Sequence, residues 1–155
     1  MAVRNIRKLG DPGLRSKAKP VQNIDLETVS ILKDMAASME HYGGVGLAAP
    51  QIGLGLALVV IKLSAEFPLL ELINPEIIGR SEEETIAVEG CLSIPGLFGE
   101  VKRFEQVEVR YQDRKGKWKK MRASGFLARA LQHELDHLQG VLFVDKVIKY
   151  VSEED

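Results

Sequence analysis

The sequence predicts an α+β fold, with mostly antiparallel strands around a central metal-binding helix. Three observations lead there. Segments 25–39 and 124–138 carry apolar residues at helical spacing, each opened by a cap-type residue and closed by glycine. Between them lie five short runs of strand character, separated by turn residues. The second helical segment holds His133-Glu-Leu-Asp-His137, whose imidazoles leave one helix face a turn apart. The chain of 155 residues suits one domain, 1–155, with one sizeable core.

The elements follow in order. Residues 1–22 read as irregular, punctuated by Gly10-Asp-Pro-Gly13 and Pro20, with their basic residues solvated. The first helix begins near Asn23 or Asp25, presents Leu26, Val29, Leu32, Ala36 and Met39 to the core, and ends at Gly43-Gly44. His41 reads as a helix-terminal histidine without a catalytic part. Gly43 to Gln51 is small-residue rich. From the residues alone it is a tight helix-to-strand connection with a surface glutamine, ahead of a loop for close ligand approach.

The continuous apolar run 54–63 predicts a buried strand. A second strand spans 67–78, centred on 69–73 and checked by Asn74-Pro75. Residues 82–84 form an acidic turn, and 84–91 alternate at Ile86 and Val88 before Glu89-Gly-Cys-Leu-Ser93. One strand is expected over 101–111, then a turn at Asp113-Arg-Lys-Gly116 and a return over 117–121. The basic residues around Trp118 at that tip read as a solvated hairpin that resists edge aggregation rather than an RNA surface. Ser124 caps the second helix, which ends at Gly140. Phe126, Arg129 or Ala130, His133 and His137 share one stripe of it. Segment 141–151 packs back on the core, and Glu153, Glu154 and Asp155 fray.

Composition narrows the function. A formal net charge of -1 exerts no global pull on DNA or anionic membrane. No run approaches a membrane span, and the basic start lacks the apolar core of a signal peptide, so a cytoplasmic protein is expected. The single cysteine, Cys91, suits a reducing compartment.

His133 and His137 supply two ligands, and Glu134 stands beside them as a general base. A catalytic site of this type takes a third protein ligand and keeps one position open. A third histidine of the extended metalloprotease pattern would fall at position 143, which is Phe143. Downstream carboxylates are limited to Asp145 and the tail acids. Cys91 remains, against the alternative of an inert buried thiol. A thiolate with two imidazoles suits zinc, iron(II), nickel or cobalt.

Three motifs now stand in order: Gly44-Val-Gly-Leu-Ala-Ala-Pro-Gln51, Glu89-Gly-Cys-Leu-Ser93 and Gln132-His-Glu-Leu-Asp-His137. With the opening Asp11-Pro-Gly-Leu-Arg-Ser-Lys-Ala-Lys-Pro-Val21, the sequence resembles the peptide deformylase family over nearly its whole length. The resemblance implies removal of the formyl group from nascent formyl-methionyl chains, with release of formate. It implies a metal on Cys91, His133 and His137, natively Fe(II), with Zn, Ni or Co as substitutes. Glu134 is then the proton carrier, and Gln51 and the Leu92 backbone N–H stabilise the developing oxyanion. Gly46 holds the peptide, and Val45, Phe126 and Ala130 line the methionine pocket. A tight site is expected to exclude acetyl groups. Glu89 and Arg103 pair to fix the cysteine loop, and Asp136 orients a partner the sequence does not name.

Two departures stand out. Arg129 occupies a position where members commonly carry an apolar residue, and is expected either to bend outward or to favour acidic substrates. The chain stops at Asp155 without the long basic helix by which many bacterial members contact the ribosome, which puts ribosome docking in doubt. The rival readings are a small metallopeptidase on the same His-Glu-His helix, and an RNA- or ribosome-binding domain with a closed structural metal.

Overall fold

The computed structural model describes residues 1–152. Two helices, α1 (Leu26–His41) and α2 (Gly125–Leu138), pack with two antiparallel sheets. The larger sheet has the order β1-β2-β3-β6-β7, from Gly46–Ala48, Leu58–Ile61, Leu70–Arg80, Gln106–Gln112 and Trp118–Ser124. The smaller has the order β4-β5-β8, from Glu84–Cys91, Ile94–Phe104 and Val147–Val151. The expected α+β class holds. The tail residues Glu153, Glu154 and Asp155 lie outside the described residues. Among the described residues no helix is long and apolar enough to cross a membrane.

The unbroken apolar run of β2 has a direct cause: the sheet is covered on both faces. Leu58 and Val60 pack with Ile31, Leu32, Met35 and Met39 of α1. Val59 and Ile61 pack with Ala128, Leu131 and Leu135 of α2. Each such side chain, fully buried, contributes roughly 1.5–3 kcal/mol. Strand β2 is shorter than the 54–63 run, because residues 54–57 serve as a connection that bridges Lys19 through Leu56.

Helix α1 starts where its cap predicts. The Asp25 carboxylate accepts from Thr28 N–H at 3.0 Å, and Thr28 Oγ1 accepts from Asp25 N–H at 3.4 Å. The core face is rotated from the expected stripe, however. Leu26 is 88% exposed, and the buried positions include Asp34 and Ser38. The polar pair is buried because the N-terminal segment lies across it. Asp34 accepts from Ala2 N–H and Arg4 Nε, and Ser38 Oγ from Arg4 N–H. Arg4 and Arg15 are thus ion-paired, to Asp34 and Asp145, rather than merely solvated.

Four further expectations need correction. Asn74-Pro75 does not end β3. Asn74 takes a left-handed φ of 52° at a register shift, and its side chain bonds Val21 and Gln112 while the strand continues. The single strand expected over 101–111 is two strands in different sheets, divided at Glu105, whose N–H reaches Glu83 and whose carbonyl receives Gly125 N–H. Ile86 and Val88 alternate as read but face outward, at 55% and 51% exposure, because the inward face of β4 delivers Glu89. Ser124 sits at the N-cap of α2 without a side-chain capping bond.

Helix α2 does end at Gly140. There φ is +76°, and a Cβ would strike the Arg15 backbone carbonyl. At the hairpin tip, Arg114, Lys119 and Arg122 pair with Glu71, Asp113 and Glu108, as a solvated surface would.

Candidate metal centre and active site

The register between β4 and β5 closes a tight turn, with Cys91 opposite Ile94 and Leu92 and Ser93 at the tip. This turn carries Cys91 against α2. The ligand atoms of Cys91, His133 and His137 all lie within 4.8 Å of one another, and form the one such group among the described residues. His137 Nε2 is 3.5 Å from Cys91 Sγ. His133 Nδ1 faces Glu89 Oε1 at 2.9 Å, which leaves Nε2 for the cysteine side.

Around this trio the titratable groups are strongly perturbed. Burial holds the His137 imidazole well below its ordinary value, with His133 and Arg103 adding to it, so the neutral ring keeps one nitrogen lone pair free. Burial opposes the charge on His133 as well, but hydrogen bonds to Cys91 and Glu89 outweigh it and raise that imidazole to about 10. A cation held by Cys91, His133 and His137 would require that proton to leave. Burial lifts the Glu134 carboxyl to about 7, against the pull of His133.

Two buried side-chain atoms among the described residues lack a hydrogen-bond partner: Glu134 Oε1 and His137 Nδ1. A soft anionic donor, two imidazoles and an adjacent unsatisfied carboxyl fit a divalent transition metal.

The carboxylates beneath the trio explain why it stays assembled. Glu89 Oε1 accepts from Arg103 Nη2 at 2.8 Å, and Oε2 from Arg103 Nε at 2.9 Å and Arg129 Nη1 at 2.6 Å. Burial works against Glu89 as an anion, yet the Arg103 and His133 bonds hold it far below the usual carboxylate range. The expected Glu89–Arg103 pair is therefore buried rather than superficial, at 7% and 3% exposure. Arg129 does not bend outward. It turns inward, donating to Glu89, to Val101 O at 2.9 Å and to Thr85 O at 2.9 Å. Asp136 finds its partners in Arg103 Nη1, at 2.6 Å, and Lys146.

A cavity of about 640 Å³ opens above the trio. Cys91, His133 and Glu134 line it, together with Gln51, Leu92, Val45, Gly46, Phe126 and Ala130. The ligand, catalytic and substrate-pocket residues expected from the resemblance thus lie in one place, His137 just beneath. Gln51 is no surface glutamine. It is buried, its Oε1 accepting from Ala48 N–H at 2.9 Å while Nε2 lies 3.2 Å from Ser93 Oγ and 3.5 Å from Cys91 Sγ. Gly46 is required by contact: a Cβ there would lie 2.6 Å from Glu134 Oε2.

Sequence reasoning missed the part of Ser93, which bonds Gln51, and the cavity-lining residues Ile6, Lys8 and Tyr42. The first residues reach the site because Arg7 N–H donates to Gln51 O at 2.7 Å and Leu9 N–H to Ser93 O at 2.9 Å. No local pattern signals that crossing.

A buried carboxyl beside a cation site is what metal-assisted hydrolysis requires, and a metal-dependent hydrolase is the class of protein that this fold and site define. The polypeptide deformylase family model matches residues 3–153. A peptide deformylase of Caldanaerobacter subterraneus subsp. tengcongensis is 57% identical over 155 residues, covering 100% of this chain and 96% of that one. The peptide deformylase 1 of Bacillus cereus is 46% identical, covering 100% and 99%. Among solved structures, the Thermotoga maritima enzyme superposes with a TM-score of 0.91 at 40% identity, covering 95% of this chain and 99% of that one. The Synechococcus elongatus enzyme, in complex with actinonin, gives 0.89 at 47% identity, covering 93% and 78%. The chain belongs to the peptide deformylase family, metal-dependent hydrolases that remove the N-terminal formyl group from nascent peptides.

Proposed function

We propose that residues 1–155 act as one deformylase domain in the cytoplasm, with Cys91 Sγ, His133 Nε2 and His137 Nε2 holding Fe(II). The convergence of those three donors within 4.8 Å, beside Glu134, carries the reading. A cation held there would supply Lewis acidity toward the attacking water and the formyl carbonyl.

The chain's own residues do the rest. Glu134 takes a proton from the attacking water at its carboxylate and returns it to the leaving amine nitrogen as the C–N bond breaks. Water oxygen ends in formate and the proton on the new amine. Gln51 Nε2 and the Leu92 N–H donate to the formyl oxygen as it gains charge, each worth roughly 3–4 kcal/mol when fixed in place. Gln51 is suited to this because Ala48 and Ser93 hold its amide still. Glu89 fixes the His133 tautomer. The Gly46 backbone holds the peptide extended, and Val45, Phe126 and Ala130 receive the methionine side chain.

The test is formate release from formyl-Met-Ala-Ser by anaerobically purified protein of known metal content. Activity is expected to vanish on chelation and return with Fe(II). Backbone cleavage without formate would show a metallopeptidase instead.

Gly46→Ala checks the geometry independently. The added methyl displaces the Glu134 carboxylate, and a shift of about 1 Å costs on the order of 100-fold in rate. The melting temperature is expected to move by only a few degrees, since a side chain and not backbone must yield. Unaltered kcat would contradict the placement of Glu134.

A further inference from the structure

Among the described residues, four lysine, arginine or carboxylate side chains line the cavity: Lys8, Glu89, Arg129 and Glu134. Glu89, Arg129 and Glu134 are buried, and the first two pair with each other. Lys8 is exposed and enters no ion pair among the described residues; its Nζ reaches only the Leu92 carbonyl, at 3.4 Å. Its backbone, by contrast, is fixed. Arg7 on one side is bonded to the Gln51 loop and Leu9 on the other to Ser93. The ammonium is therefore tethered at the mouth of the cavity by the same two loops that carry Gln51 and Cys91.

We propose that Lys8 is a specificity-determining residue that favours substrates with a carboxylate following the formyl-methionine. The inference rests on the cavity being the formyl-peptide site. An unpaired cation at the rim of a low-dielectric cleft focuses field on approaching anions. With its aliphatic stem resting on the rim, its head is free to meet a substrate acid. Such a solvent-exposed contact is expected to change kcat/KM by about two- to fivefold, less at high salt.

The experiment compares C-terminally amidated formyl-Met-Ala-Asp and formyl-Met-Ala-Lys on the wild-type, Lys8→Ala and Lys8→Glu proteins, at low and high salt. Formyl-Met-Ala-Ser with free and amidated ends separates a side-chain carboxylate from a terminal one. The wild type is expected to prefer the acidic peptide, Lys8→Ala to lose the preference and Lys8→Glu to reverse it, with melting temperatures unchanged. Formate from every peptide with the same Asp-to-Lys ratio in all three proteins would overturn the role of Lys8 alone. No formate from any peptide would overturn the site reading and the inference with it.

Discussion

Replacing Glu134 with glutamine is expected to lower kcat for formate release by roughly 100- to 10,000-fold, the usual share of a positioned acid–base group. The substitution keeps the size of a side chain that is 5% exposed and sits against Gly46. It removes only the ability to take and return a proton. Metal content should not change, because Glu134 is not one of the three converging donors. KM for formyl-Met-Ala-Ser should change little, since an interaction confined to proton transfer affects kcat. Steady-state kinetics with metal analysis on the same sample make the check. A glutamine variant within tenfold of wild type would remove Glu134 from the chemistry.

Glu89→Ala is expected to lower stability strongly. Two buried guanidiniums, Arg103 and Arg129, share this carboxylate. Removing one member of a buried charge cluster costs roughly 3–5 kcal/mol, because the others stay buried without it. In a chain of this size that lowers the melting temperature by on the order of 10 °C. Metal affinity should fall by about 10- to 100-fold as well, since His133 loses the acceptor on Nδ1. Glu76→Ala serves as the control. Its pair with Arg110 is solvent-exposed, and its loss should cost less than about 1 kcal/mol. Equal melting temperatures for the two variants would contradict the account of the cluster.

How much of this was legible in the sequence depended on range. The His133–His137 spacing is local, and helical geometry alone puts both rings on one face. The Asp25 cap and the 113–116 turn are also local and form as read, and the apolar run 54–63 does hold a buried strand, though only over Leu58–Ile61. Cys91 was reachable by counting ligands. Contacts set by tertiary approach were not legible. Nothing near Arg129 indicates that Glu89, forty residues earlier, waits beneath it. Gln51 read as a surface residue because its distant partner, Ser93 Oγ, comes within reach only when the cysteine turn packs against the Gln51 loop. Residues 101–111 alternate as one strand would, and only the change of sheet at Glu105 divides them.

The clasp of residues 6–9 over the Gln51 and Ser93 loops has a consequence for biogenesis. The beginning of the polypeptide rests on its middle, and Ala18 N–H is secured to Leu138 O at 2.8 Å near the far end of α2. Such long sequence separations delay native pairing until most of the chain exists. The three converging donors are Cys91, His133 and His137, so the trio cannot close until the second helix has been made.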